Sequence, residues 1–187
     1  MTPLAFALAL AGCSLFRGPP PETFDLAGPD SIPRGGSTAA QILIPESSAI
    51  RVLDTDRIVV VTGPKISYFP DAQWPDRLPK LFQARAIEAF EKSKRARAVG
   101  RPGEGLSIDY QLLTDVRAFE YRSDSQTAHI EVSTKIMDDR NGRVVATRLF
   151  TADMPVEGEA AKDVVAGLQA ALDKVLRDLV RWTVAQV

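Results

Sequence analysis

The sequence predicts an α+β domain, a two-layer α/β sandwich in which a mixed, mainly antiparallel sheet of about five strands is covered by two helices. Three observations carry this expectation. Apolar residues alternate with polar ones from Ile108 onward, Asn141-Gly142 separates two strand-like runs, and the last 25 or so residues repeat apolar side chains at three and four. Strands in series followed by a long one-sided helix must bury that helix on the sheet, because each exposes one apolar face.

The chain has 187 residues, 45% hydrophobic and 25% charged, with a net charge of −1. These are globular averages, and the charge balance offers nothing to nucleic acid. The opening run from Leu4 to Ala11 is too short to cross a bilayer, which takes about 20 apolar residues. It suits a cleaved secretion signal. It ends in Leu10-Ala11-Gly12-Cys13, the pattern of a lipobox, with cleavage expected between Gly12 and Cys13 and acylation on the cysteine. Cys13 is the sole cysteine, so the mature chain has no disulfide and its stability must come from its core. No Lys or Arg precedes the apolar run, which places the expected start upstream of Met1. Ser14, rather than Asp, follows the cysteine and favours outer-membrane sorting over inner-membrane retention.

Residues 1–12 are therefore expected as signal, 13–40 as a lipidated tether, and 41–187 as one domain. The tether contains Pro19-Pro20-Pro21, Gly28-Pro29 and Gly35-Gly36-Ser37. Freely flexible, some 25 such residues reach about 25–30 Å. Phe24-Asp25-Leu26 offers a short first strand that would pin the tether; a disordered segment is the alternative.

Gln41–Ile44 reads as a short strand, and Arg57–Thr62 as a buried central one, since Ile58 to Val61 are all β-branched between Asp56 and Gly63-Pro64. Ile66–Phe69 reads as another short extended piece. Pro70-Asp71 suggests a helix start with Asp71 as N-cap, and Trp74 to Lys92 place apolar residues on one helical face. Pro75 suits the first turn of that helix and Pro79 disturbs it. Past the glycine-rich loop 100–105, two alternating strands follow. The second directs Ala128, Ile130, Val132, Thr134 and Ile136 to one face. Asn141-Gly142 turns into a return strand, Val144–Ala152, because both turn residues tolerate positive φ. The closing helix, from about Glu159 to Thr183, is apolar from Val164 to Trp182 along one stripe.

No constellation of side chains assembles catalytic or metal chemistry. His129 is the sole histidine and falls on the polar face without spaced partners. Asp54/Asp56 and Asp138/Asp139 fit turn chemistry. The loop at 100–105 lacks the Lys-Ser/Thr ending of a phosphate loop and leads into a strand. Lys92, Lys94, Arg95 and Arg97 complement a helix C-terminus; contact with anionic headgroups is the second reading. No cofactor and no metal are expected. A hydrolase would need a cleft with shifted carboxylates around Asp54, Asp56 or Asp109.

"LDTDRIVV" (53–60), "ISYFPDAQWPDRLPKLFQARAIEAFE" (66–91), "AVGRPGEGLSIDYQLLTDVRAFE" (98–120), "DDRNGRVVATRLF" (138–150) and the closing "LVRWT" (179–183) resemble the ABC-type transport auxiliary lipoprotein family. The resemblance spans nearly the whole mature chain and includes the lipobox. It implies an α/β sandwich without catalytic residues, and a non-enzymatic accessory working beside an ABC permease, an ATPase and an MCE-domain periplasmic protein that together move lipid. By resemblance the protein is held at the periplasmic face of the outer membrane, with the oligomeric state open to a homo-oligomer. A structural or assembly lipoprotein with a TolB-like role is the alternative. Tyr68, Phe69 and Trp74 are the candidate partner or lipid contact if exposed, and core staples otherwise.

Overall fold

The computed structural model describes residues 20–187, so the expectations for the signal segment and for Cys13 lie outside the described residues. The nine strands are β1 (Glu22–Thr23), β2 (Gln41–Leu43), β3 (Ser48–Ala49), β4 (Arg57–Thr62), β5 (Lys65–Gln73), β6 (Ala98–Gly100), β7 (Tyr110–Arg122), β8 (Thr127–Asp138) and β9 (Val144–Pro155). The two helices are α1 (Leu78–Ser93), between β5 and β6, and α2 (Ala161–Gln186), at the end.

One sheet holds all nine strands, which corrects the expected five. β3 and β6 are additions to the strand runs read from the sequence, and β1, at Glu22–Thr23, lies just before the expected Phe24–Leu26; each has two or three residues. They join through parallel pairings that no local pattern encodes, as do β2 and β4 to β7. Parallel pairing is therefore as much a part of this sheet as the long antiparallel ladder β7–β8–β9.

β7 is the spine. One edge pairs along its length with β8; the other takes β2 at Tyr110, β3 at Asp115 and β4 at Glu120 in succession. β8 then pairs β9, and β4 pairs β5, which carries β1.

Both helices cover one face. Ala128, Ile130, Val132, Thr134 and Ile136 point beneath them, each at most 1% exposed. α2 buries Val164, Leu168, Leu172, Val175, Leu176 and Leu179, the predicted stripe. Its approach is close at Gly167, where a Cβ would lie 2.7 Å from Val156 Cγ2 and 3.1 Å from the Ala128 methyl.

The start of α1 differs from expectation. The chain stays extended through Pro70 and Asp71 because Ala72 and Gln73 pair with Glu22 and Thr23 of β1. Asp71 holds a positive φ of 52° in the irregular stretch between Tyr68 and Gln73 rather than capping a helix. Arg77 is the N-cap, and Pro79 falls in the first turn, where a missing N–H costs nothing. Asp76 supplies the carboxylate there, accepting the Arg77 N–H at 2.8 Å and pairing with Lys80.

Candidate functional site

The segment expected as a free tether lies, over its described part, across the helices and the sheet edge. Thr23 and Phe24 continue the β5 edge, with the Phe24 N–H donating to Gln73 O at 2.9 Å. Leu26 is then inserted into the core at 2% exposure. A lone leucine between Asp25 and Gly28-Pro29 has no periodicity to announce burial, but its side chain anchors the strap, with Phe24 and Ile32 packed half-buried against the core on either side of it.

Polar contacts fix the strap on both helices. Asp25 accepts two hydrogen bonds from Arg85 Nη2, both at 2.8 Å. Gln169 of α2 accepts the Ala27 N–H at 2.8 Å and returns its own amide N–H to Ala27 O at 3.0 Å. Glu88 accepts the Gly28 N–H at 3.3 Å and pairs with Lys92 at 2.8 Å and Arg85 at 3.0 Å. Arg95, 8% exposed, donates from Nε to Gly36 O at 2.6 Å. Two members of the basic run at the end of α1 are thus occupied: Lys92 with Glu88 and Arg95 with the strap.

These contacts set the charge states. The Lys92 ammonium, with further help from Arg85 and the Gly28 N–H, holds the Glu88 carboxyl below the usual range against the opposing effect of burial. Burial pulls the Arg85 guanidinium down, but its bonds to Asp25 and Glu88 outweigh that and raise it. A carboxylate with a depressed pKa stabilises the fold above its unfolded value, and that contribution disappears as pH falls through the folded value. Strap docking is therefore expected to hold at neutral pH and to weaken as pH drops below about 4.3. Amide exchange of Ala27 and Gly28, measured from pH 6 to pH 3 and corrected for intrinsic rates, checks this. Unchanged protection down to pH 3 would remove the role given to Glu88.

The aromatic block is not gathered into one exposed surface. Trp74 is 1% exposed, its ring edge-on to Phe119 at 5.9 Å. Tyr68 is half-buried, with the Arg57 guanidinium 4.1 Å above its ring and its hydroxyl donating to Val52 O at 3.4 Å. Phe69 is half-buried against the core.

The acidic positions are engaged structurally. Asp54 and Glu46 both pair with Arg77. Asp109 accepts the Gln41 N–H at 3.0 Å and pairs with Arg140 at 2.9 Å, and these two contacts hold its carboxyl low, the reverse of what a general acid needs. His129 is buried, its Nδ1 2.7 Å from Asp153 Oδ1. Two open clefts lie on the surface: one, of about 510 Å³, where β2 and β3 diverge along β7, has Glu46 and Asp115 on its wall held by Arg77 and Arg117, and one, of about 540 Å³, has Asp54 on its wall paired with Arg77.

The end of the sheet where β7 starts was not marked as a site in the sequence. Val144, Val145 and Leu149 of β9 are 52%, 49% and 48% exposed. α2 meets β9 at Phe150, where Trp182 packs edge-on at 5.5 Å, near the helix's last turn. Val144 and Leu149 stand opposite Met137 and Ser133, on the face of the sheet that the helices leave uncovered.

The profile of the ABC-type transport auxiliary lipoprotein component family matches residues 23–180. An uncharacterized protein of Bradyrhizobium diazoefficiens is 35% identical over 167 residues, which are 88% of this chain and 45% of that protein. The chain thus spans less than half the length of that curated relative. A crystal structure of a Xanthomonas campestris protein superposes with a TM-score of 0.77 at 30% identity, over 89% of this chain and 93% of that one. The Chlamydia trachomatis protein CT253 shares the fold at a TM-score of 0.58 and 8% identity, over 80% of this chain and 98% of that one.

Proposed function

The chain belongs to the ABC-type transport auxiliary lipoprotein component family, and from that premise we propose that it is the anchored partner of a lipid-transporting ABC system with an MCE-domain periplasmic protein. As a member it is a lipoprotein accessory of ABC-type transport that acts without catalysis. The finer reading is that acyl chains on Cys13 hold it at the periplasmic face of the outer membrane. The domain then works there by contact with the MCE-domain component and, through it, with the permease and ATPase.

The observation that carries this reading is the strap. The family match begins at residue 23, where the chain first joins the sheet. Only eight residues separate Cys13 from Glu22, at most about 30 Å of fully extended chain. The domain would therefore sit near the membrane rather than range far from it, as a freely flexible tether of residues 13–40 would allow. Its orientation would be set by where the strap enters.

Cys13→Ser is expected to abolish incorporation of a palmitate analogue and to move the protein from the membrane to the soluble periplasmic fraction. Crosslinking of the wild-type protein to the MCE-domain component tests the partner. Continued membrane residence of the variant would overturn the anchor, and failure to crosslink in intact cells would overturn the partner.

A further inference from the structure

Among the described residues β9 is paired on one side alone, to β8. The Val156 N–H donates across to Gln126 O, and Arg143 O accepts the Asp138 N–H. Backbone direction alternates along an antiparallel strand, so counting back from Val156 turns the N–H groups of Thr147, Leu149 and Thr151 outward. Pro155, which has none, shares their parity. The end of β9 beside α2 is blunted by Pro155 and Asp153, the usual protections of an edge. Between Val144 and Ala152 there is no proline and no acid.

The exposed part of this edge is apolar and basic. Arg143 and Arg148 are exposed on β9 or at its start, and Lys135 faces Thr147 from β8. Among the described residues none of the three forms an ion pair, whereas neighbouring Arg140 is held by Asp109. The Arg148 guanidinium lies 5.2 Å over the Phe150 ring, which leaves its charge unneutralised.

Three occupants could complete such an edge, and two fit poorly. A second copy pairing β9 to β9 would bring two identical sets of unpaired cations together, and like charges on adjacent strands destabilise the pairing. The anchoring membrane lies in the wrong direction. β1 runs with β5, against β4 and hence against β7. The chain before β1 therefore enters from the end where β7 finishes at Arg122, while the β8–β9 turn lies at the end where β7 starts at Tyr110. β7 is roughly 40 Å long at about 3.3 Å per residue. This exclusion rests on the Cys13 anchor proposed above.

We propose that the free edge of β9 at residues 143–149 is a strand-addition site for an extended, acidic and apolar segment of a partner protein, at the end of the domain turned away from its anchor. Main-chain bonds from Thr147 and Leu149 supply the pairing. Val144, Val145 and Leu149 supply the apolar contact, and Arg143, Arg148 and Lys135 select the charge. The cations that attract such a segment also keep identical copies apart.

The probe is a nine-residue peptide alternating Val and Thr with Glu at both ends and the centre, titrated against the full-length protein in detergent; its counterpart carries Lys for Glu. The acidic peptide is expected to slow amide exchange at Thr147, Leu149 and Thr151 and to bind at least tenfold tighter than the basic one. Arg143→Glu with Arg148→Glu, both exposed, should reverse that order with little change in Tm. Equal binding of the two peptides, protection elsewhere, or an unreversed preference would overturn the proposal. So would concentration-dependent protection without peptide, which assigns the edge to a second copy. Protection of the same amides by phosphatidylglycerol vesicles would assign it to a membrane and overturn it too. Palmitate labelling of Cys13, read separately, reports whether the anchor reading has failed instead.

Discussion

Trp74→Ala is expected to destabilise the domain by about 3–5 kcal/mol, the usual cost of emptying a fully buried large aromatic site. For a chain of this size that is a fall in Tm of about 6–20 °C. The side chain is 1% exposed and packs edge-on against Phe119 of β7, while the backbone N–H of Trp74 donates to Asp56 O at 2.6 Å. It thus fills the corner where β5 ends and the chain turns toward α1. The Leu78 N–H, bonded to Thr55 O at 3.0 Å, ties the start of α1 to the same loop. Such a cavity has little means of collapsing, because the sheet behind it and the loop beside it are held by backbone bonds. Tyr68→Ala, at a half-buried position, should cost markedly less. Thermal unfolding followed by circular dichroism checks both variants. A Trp74→Ala Tm within two degrees of wild type would return this residue to the role of a contact residue.

The same corner shows how far the sequence could be read. "ISYFPDAQWPDRLP" is the most distinctive stretch of the chain, and its distinctiveness is structural. Pro70 and Asp71 occupy an irregular stretch of strand, Trp74 plugs the corner, and Pro79 falls in the first helical turn. Proline and aspartate together suggested a helix start at Asp71, because the competing instruction, pairing of Ala72 and Gln73 with β1, comes from fifty residues away.

Long elements were legible because they carry their own period. β4 is a β-branched run, β8 alternates cleanly, and α2 repeats at three and four over 26 residues. β1, β3 and β6 are too short to hold a period and exist only as parallel neighbours of other strands. Leu26 and the edge of β9 were opaque for the same reason. A single leucine among Pro and Gly carries no pattern, and apolar residues exposed near one turn look no different in sequence from buried ones.

Leu26→Asp is expected to release the strap while leaving the rest of the domain folded. Burying an aspartate in that socket costs several kcal/mol without a partner. The strap can avoid that cost by leaving, because its remaining ties are hydrogen bonds to the helices and one sheet edge and the half-buried packing of Phe24 and Ile32. The loss of stability is therefore capped at the docking free energy of the strap, and it appears as local rather than global opening. Amide protection at Phe24, Ala27 and Gly28 should fall at least a hundredfold, while Ile130 and Leu172 keep theirs within a few-fold. If all of these amides lose protection together, the strap is an integral part of one cooperative unit. The functional consequence follows from length. Docked, the strap leaves eight residues between Cys13 and the sheet; undocked, it adds roughly twenty more and the fixed orientation is lost. A partner that must find the edge of β9 at the far end of the domain would then meet a freely tumbling body. Leu26→Asp should accordingly weaken crosslinking at Leu149 in intact cells without altering palmitate incorporation at Cys13. Full crosslinking at Leu149 in that variant would show that the strap orients nothing.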